Sequence, residues 1–365
     1  YIARYYDTLK TKNPLEVLIA ELPDFSEEQA IDIAFNHFGL EAKASNLLSE
    51  RDQNFLLEVD GDKKYVLKIA NSCEEHLVTD FQIQALIHIA KKSDLSINTP
   101  EILQSVDGRN SIILETDAEV HVARVVSYLD GMTLGDRAPS AKLCRDMGRY
   151  LARLGFLLKD FKHPGSDHSL MWDMKEALKL REILSHIKNE TTRHLVETVL
   201  EDFEKNALVI FDSIRWQVIH SDMHADNIIV SESNTDKVAG IIDFGDMLLS
   251  PLIVDLAVAA SYLRVVDGDP LSLITEFLYG YHQEIPLKRM EISILHDLIK
   301  TRLAATISIL DWRASFRDKD DAYLKANAGE KLVAELFLKK LSEIPQENAT
   351  KIYTQVCASA EQRKK

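Results

Sequence analysis

Cysteine is scarce in this chain, and what there is does not pair. Cys73, Cys144 and Cys357 are its three cysteines, and no two share a CxxC or other short spacing. That excludes a disulfide framework and a zinc cage, and it points to a reducing compartment, the cytoplasm by default. Long apolar runs are missing as well. No stretch approaches the roughly 20 residues that span a bilayer, and the first residues carry neither a basic leader with an apolar core nor a small-residue cleavage site. The chain opens on Tyr1 rather than Met, as a trimmed chain or an excised domain does. Positive charge also falls short, with 43 Lys and Arg against 58 Asp and Glu, a net charge of -15. Nucleic acid and anionic membrane are therefore not expected as partners, because phosphate binding needs an excess of Lys and Arg on one face. An acidic surface suits cationic substrates instead. Internal repeats and low-complexity segments are absent.

What is present is apolar content enough for a large core, 46% of 365 residues, expected as two lobes over 1–129 and 130–365. Residues 1–24 read as a packing arm, with Leu15, Leu18, Ile19 and Leu22 in helical spacing after Pro14. Ser26 with Gln29 forms a capping box, and the helix it opens runs through Ala30, Ile33, Ala34, Phe35 and Phe38 to Gly39. Strands are expected over 44–48, 54–59 and 65–69, the last two joined by Asp60-Gly61-Asp62. A helix over 77–90 follows, then a strand pair, 100–103 with 111–114, across Asp107-Gly108, and a strand over 121–129. From Ser140 the pattern turns helical, over 141–158, 174–187, 191–214, 254–263, 271–281 and 292–316, with a charged tail from Arg317. The order specifies an α+β fold: an antiparallel N-lobe sheet with helices, then a larger, mainly helical C-lobe.

The stretch from Gln217 to Pro251 concentrates the chemistry. The apolar runs 216–219 and 238–242 each end abruptly in polar residues, as buried strands do when they deliver functional groups at their ends. The first delivers His220, Asp222, His224, Asp226 and Asn227; the second delivers Asp243 and Asp246. His-x-Asp-x-x-x-x-Asn followed by Asp-Phe-Gly is the spacing of a kinase catalytic loop and metal motif. Phosphoryl transfer leaves a protein little covalent work: it positions the hydroxyl nucleophile and spreads the charge of the γ-phosphoryl group. Asp222 is the residue to orient the hydroxyl and accept its proton, and Asn227 and Asp243 offer hard oxygens suited to Mg²⁺. His220 is expected to buttress the loop, and Asp255 to receive hydrogen bonds from its backbone. A hydrolytic metal held by His220, Asp222 and His224 would leave Lys68, Asn227 and the Asp-Phe-Gly unexplained.

Lys68 lies in an otherwise apolar strand, and upstream of such a loop it supplies the cation for the nucleotide's α- and β-phosphates. Asp80 is the expected acidic partner on the next helix, with Glu74 and Glu75 as rivals. No Gly-x-Gly-x-x-Gly covers the phosphates; that duty falls to backbone groups or to Ser49, Arg51 and Gln53 in the first hairpin. Backbone groups of Ser127, Tyr128 and Leu129 are expected to bond the base. After Gly245 there is no long activation segment and no Ala-Pro-Glu, and no Arg stands in His220-Ser221-Asp222. Regulation by loop phosphorylation and a peptide-docking platform are therefore not expected. The acceptor is a small molecule.

The chain resembles the aminoglycoside phosphotransferase and choline kinase-like superfamily from about Phe25 to Leu341. It is most similar to the hydroxylysine kinase branch and to kinase domains that open fusions to class-III aminotransferases. Arg51-Asp-Gln-Asn-Phe55, Tyr65-Val-Leu-Lys68, His163-Pro164, Trp172, Gly240-Ile-Ile-Asp-Phe-Gly-Asp-Met247 and Arg302 carry the resemblance. It implies a two-lobed protein-kinase-like fold, ATP or GTP as donor, Mg²⁺, and a hydroxylated amine or amino acid as acceptor. For that acceptor it implies Asp246 against an ammonium, Trp172 as a cation–π face, Arg302 on a carboxylate, and His224 nearby. The structural alternatives are a helix-capping acid, core filler and an interhelical ion pair for the first three. At Ser221 the sequence departs from the family, which usually has Gly there. The alternative function is a catalytically weak pseudokinase or nucleotide-sensing module serving a fused or partner enzyme.

Overall fold

The computed structural model describes residues 20–60, 62–92, 97–116, 119–135, 137–317, 324–325 and 329–362. The packing arm expected over 1–24 lies mostly outside them, as does Gly61 of the second turn. The described residues form two compact units that are discontinuous in sequence. One comprises the residues up to Ile87 with 100–128 and 163–171; the other comprises 88–99, 129–162 and the remainder from Trp172.

In the first unit, α1 (Glu27–Phe38) begins at the expected capping box and ends at Gly39 with φ 66. Its buried face, Ala30, Ile33, Ala34 and Phe38, packs on Phe55, Leu57, Leu67 and Ile69 of the sheet. The sheet runs β1 (Ala42–Leu47), β2 (Gln53–Val59), β3 (Lys63–Ile69), then β6 (Val120–Ser127), every pair antiparallel. The strands β4 (Ile102–Leu103) and β5 (Ile112–Glu115) both pair with β6. This corrects the expected pairing of 100–103 with 111–114: the eight-residue β6 is long enough to seat both. Helix α2 (His76–Ala90) follows β3.

In the second unit, β7 (Met132–Thr133), β9 (Ile228–Val230) and β10 (Val238–Ile241) form one small sheet, and β8 (Trp216–Ile219) with β11 (Leu248–Pro251) another. Helix α3 (Ala141–Leu158) forms as the periodicity predicts. It packs against α6 (Ser272–Glu284) so closely that a Cβ on Gly148 would stand 2.0 Å from the Phe277 carbonyl oxygen, and one on Gly280 1.9 Å from that of Arg145. At four-residue intervals along α3, Arg145, Arg149 and Arg153 then meet Glu276, Gln283 and Glu284 of α6. Helix α7 (Arg289–Arg313) is buried along most of its length, Arg302 included; α5 (Leu252–Ala260) packs against it.

Three helical expectations change. Residues 174–187 wind as 3-10 turns, Met174–Glu182 and Leu184–His186. The buried Met174, Ala177, Leu180 and Ile183 recur every third residue, the repeat of a 3-10 helix. The run 191–214 divides into α4 (Glu190–Asp202), a π turn (Phe203–Ala207) and a 3-10 stretch (Leu208–Ser213). There the buried Phe203, Ala207 and Phe211 recur every fourth residue, a spacing longer than the 3.6 of an α-helix. The charged tail from Arg317 contains α8 (Glu330–Ser342) and α9 (Gln346–Gln362), which bury Phe337, Leu338, Leu341 and Tyr353. No helix among the described residues is long and apolar enough to cross a membrane.

Candidate active site

Strand register gathers the polar residues of the central stretch. Because β8 pairs with β11 through Ile219 and Leu248, the chain leaves β8 at His220 beside the segment that enters β11 from Asp246. Because β9 pairs with β10 through Ile228 and Ile241, Asn227 and Ile242 fall together, and Ile242 N–H donates to the Asn227 carbonyl at 2.9 Å. Asp243 is the next residue. Ser221 and Asp243 take positive φ, 64 and 57; of the described non-glycine residues only Asp62 shares this. Strained backbone of this kind persists where surrounding bonds over-determine it.

Those bonds are visible. Asp255, buried in the first turn of α5, accepts the Ser221 N–H at 2.8 Å and the His220 N–H at 3.5 Å. Burial pushes its carboxyl up to about 7, against the opposing effect of the two amides. The wholly buried His220 accepts the Asp222 N–H on Nδ1 at 3.2 Å and lies 3.2 Å from the Ile242 carbonyl through Nε2. Its ring stands edge-on to Phe244 at 4.8 Å. Burial lowers its pKa, so it is a neutral strut with its proton on Nε2, as the sequence suggests.

Asp222 is held from several sides. Asn227 Nδ2 donates to its Oδ2 at 2.8 Å and to its backbone carbonyl at 2.9 Å. His224 Nε2 lies 3.5 Å from Oδ2, and Arg302 Nη2 3.8 Å from Oδ1. His224 thereby serves the loop itself: its Nε2 also meets Asn227 Nδ2 at 2.9 Å, and its Nδ1 accepts the Asp226 N–H at 3.3 Å. With Nδ2 committed to Asp222, Asn227 offers Oδ1 to a cation, while the exposed Asp243 accepts the Gly245 N–H on Oδ1 at 3.1 Å. No cluster of three or more His, Cys, Asp or Glu fit for a metal occurs among the described residues. Two hard oxygens nonetheless fit Mg²⁺, which takes the rest of its shell from water and phosphate.

Arg302 changes the expected acceptor side. It is 1% exposed and lies over the Trp172 ring at 4.4 Å, so the aromatic face expected for a substrate cation holds a protein guanidinium. Its Nη2 donates to the Tyr262 hydroxyl at 3.2 Å. Burial opposes its charge, and Tyr262, Asp222 and Asp246 outweigh that, raising its pKa. Asp246, expected against a substrate ammonium, is thus buried within reach of Arg302's field. Tyr262 is the residue sequence reasoning missed: its ring stacks on His224 at 5.2 Å and lies under Arg302 and Arg264, and no motif marks it.

The residues expected on the donor side, Leu129 apart, belong to the first unit. Lys68 sits on β3 in register with Asn54 on β2 and Arg124 on β6. The Asp80 carboxylate meets His163 Nε2 at 3.0 Å, and His163 Nδ1 accepts the Gly165 N–H at 3.1 Å. This ties the His163-Pro164 loop to α2 through the acid expected to serve Lys68. Glu74 and Glu75 occupy the turn before α2. Gln53 is corrected too: its amide donates to the Phe25 carbonyl and accepts the Phe25 N–H, both at 2.8 Å, so it anchors the hairpin. Beside it, Arg51 contributes its carbonyl to Asn71 Nδ2 at 3.3 Å and lies 3.7 Å from Glu50, and Ser49 stays half-buried. The N–H groups of Ser127 and Tyr128 go to the carbonyls of Glu101 and Lys64, leaving neither for a base; Leu129 follows them, buried, in the second unit.

Residues 44–290 match the family described as phosphotransferase enzyme family. Hydroxylysine kinase of Mus musculus is 24% identical over 339 residues, covering 86% of this chain and 90% of that protein. An amicoumacin kinase solved with AMP-PNP, Ca²⁺ and Ami superposes with a TM-score of 0.66 at 14% identity, over 87% of this chain and 94% of that one. A microcompartment-associated aminopropanol kinase does so with a TM-score of 0.62 at 16% identity, over 86% and 96%. The last two likenesses are of fold.

Proposed function

The chain belongs to the phosphotransferase enzyme family, and from that premise we propose that it transfers the γ-phosphoryl group of ATP or GTP to a hydroxyl of a small amino compound. One observation carries the reading: the Asp222 carboxylate is fixed by Asn227 beside Asp243, with the loop backbone anchored on the buried Asp255. A carboxylate so held orients a hydroxyl and accepts its proton as the oxygen attacks phosphorus, with the nucleoside diphosphate leaving in line. Asn227 Oδ1 and Asp243 would hold Mg²⁺, which neutralises charge on the phosphate oxygens. Lys68 is assigned to the donor's α- and β-phosphates. Residues 1–129 are assigned to holding the nucleotide, and 130–365 to acceptor and transfer. The likeness to hydroxylysine kinase supports a hydroxylated amine or amino acid as the acceptor class.

The test is release of ADP or GDP with Mg²⁺ across hydroxylysine, homoserine, ethanolamine, choline and aminoglycosides, with phosphorylated product read by mass. Turnover with one or more acceptors is expected. A nucleotide-dependent rise in melting temperature without phosphorylated product would instead establish a nucleotide-sensing module.

A further inference from the structure

The sheet of the first unit carries a buried cation to which no role has been assigned. Residues directly opposite one another on paired strands share a face, so the register Asn54, Lys68, Arg124 sets three polar side chains in a row across β2, β3 and β6. Their strand neighbours Phe55, Leu67, Ala123 and Val125 belong to the core packed with α1. The row therefore lies on the opposite face, as the alternation of a strand requires. Helix α2 covers Arg124 there: its Nη2 donates to Gln82 Oε1 at 2.6 Å, and both residues are 2% exposed. Arg124 Nη1 is buried and meets no hydrogen-bond acceptor, and no carboxylate pairs with this guanidinium among the described residues. Asp80, two residues before Gln82 on the same helix, is bonded to His163. The contrast is with Arg264 and Arg302, which have the carboxylates of Glu330 and Asp222 at 2.8 and 3.8 Å. A buried guanidinium whose one partner is a neutral amide is costly unless an anion answers its charge.

We propose that the phosphate chain of the donor nucleotide is that anion, and that Arg124 is a second phosphate-binding cation beside Lys68. This rests on the kinase reading and deepens its donor side. Paired strands lie about 4.8 Å apart, so an ammonium and a guanidinium rooted opposite each other can meet one di- or triphosphate. Like charges directly opposite on a sheet destabilise it, and a shared polyanion reverses the sign of that interaction. Arginine suits the task because its planar, permanently charged fork matches two phosphate oxygens. Gln82 fixes the plane of the fork through Nη2 without cancelling its charge. The need is clear from the cover hairpin: it has no Gly-x-Gly-x-x-Gly, and Gln53 is spent on Phe25. Phosphate affinity that a glycine-rich loop supplies through backbone N–H groups falls here to cations on the sheet.

The experiment is calorimetric titration, without acceptor, of ATP, ADP and adenosine and of GTP, GDP and guanosine. In the series that binds, Arg124→Met should raise Kd for the triphosphate and diphosphate by about tenfold or more, the worth of a hydrogen bond to a charged group, and leave Kd for the nucleoside within about threefold. Arg124→Lys, which keeps the charge, should lose less. Gln82→Met removes the neutral partner and keeps the guanidinium, so it should leave triphosphate affinity within about threefold. An Arg124 that merely holds α2 on the sheet would weaken nucleoside and triphosphate together, and Gln82→Met would reproduce its loss; either result would overturn the proposal. So would an unchanged triphosphate Kd in Arg124→Met, or in Arg124→Gln should the first variant not fold. Those outcomes leave the kinase reading standing. Binding of neither ATP nor GTP to the unaltered protein would overturn that reading, and this inference with it.

Discussion

Asp255→Ala is the perturbation whose effect the structure fixes most closely. The side chain is 1% exposed and accepts N–H groups from Ser221 at 2.8 Å and His220 at 3.5 Å. Removing it leaves two buried donors unmet, at about 1–3 kcal/mol each, the longer bond at the low end. At pH 4, where the carboxyl is protonated when folded and in part so when unfolded, a loss of about 3 kcal/mol is expected, or about 6–12 °C in Tm for a unit of this size, and the loss should shrink as pH rises toward 7. Ser221 at φ 64 then relaxes, since its N–H bond holds the strained turn. Asp222 moves with it, and displacement of a reacting group by about 1 Å costs about 100-fold in rate. Urea melts with nucleoside diphosphate release read both quantities. A stability loss under about 0.5 kcal/mol together with activity within about threefold would refute the reasoning. The Asn variant isolates charge. The carboxyl titrates at about 7 when folded against 3.8 otherwise, so between those pH values the folded chain holds a proton that the unfolded chain lacks. Stability from this residue therefore falls as pH rises from about 4 to 7, by on the order of 4 kcal/mol, and is level above. Asp255→Asn should remove that slope.

Ser221→Gly should leave activity within about threefold and change stability by between zero and a gain of about 1.5 kcal/mol: relief of a left-handed residue is worth about 1–2 kcal/mol, and the extra chain entropy of Gly takes back about 0.5–1. A loss above about 1 kcal/mol in a thermal melt would contradict it. Gly148→Ala sets a Cβ 2.0 Å from the Phe277 carbonyl oxygen and 2.8 Å from the Tyr281 nitrogen, backbone atoms that cannot swing away. It should cost about 3 kcal/mol or more in a urea titration. Chelation should abolish turnover and added Mg²⁺ restore it. Asp243→Ala should raise the Mg²⁺ needed for half-maximal rate by about tenfold or more, whereas an unchanged requirement would place the metal elsewhere.

Local signals proved the readable ones. The Ser26 and Gln29 capping box, the period of 141–158 and the abrupt polar ends of 216–219 and 238–242 each act over a few residues, and each is where the sequence puts it. The expected support of the loop by Asp255 also holds, since an acid just inside a helix so close in sequence has few other donors to meet. What stayed hidden depends on partners far along the chain. Trp172 and Arg302 read separately as two acceptor contacts, and only packing of α7 shows that they face each other. Asp80 pairs with His163 across 83 positions. Tyr262 follows a helix of apolar residues and carries no pattern at all. The three-residue repeat of Met174, Ala177, Leu180 and Ile183 was present in the sequence, but beside charged neighbours it passes for helical spacing. Lysines and glutamates likewise mask the buried Phe337, Leu338 and Leu341 of α8.

The central claim is that Asp222 handles the acceptor hydroxyl, and Asp222→Asn tests it most directly. The amide keeps an oxygen for Asn227 Nδ2, which donates to Oδ2 at 2.8 Å, so the loop should hold while the proton acceptor is lost. With the best acceptor and saturating nucleotide and Mg²⁺, kcat should fall by about 100-fold or more, with nucleotide binding and melting temperature near those of the unaltered protein. A variant that folds, binds nucleotide and still phosphorylates the acceptor within about threefold of the original rate would contradict the account.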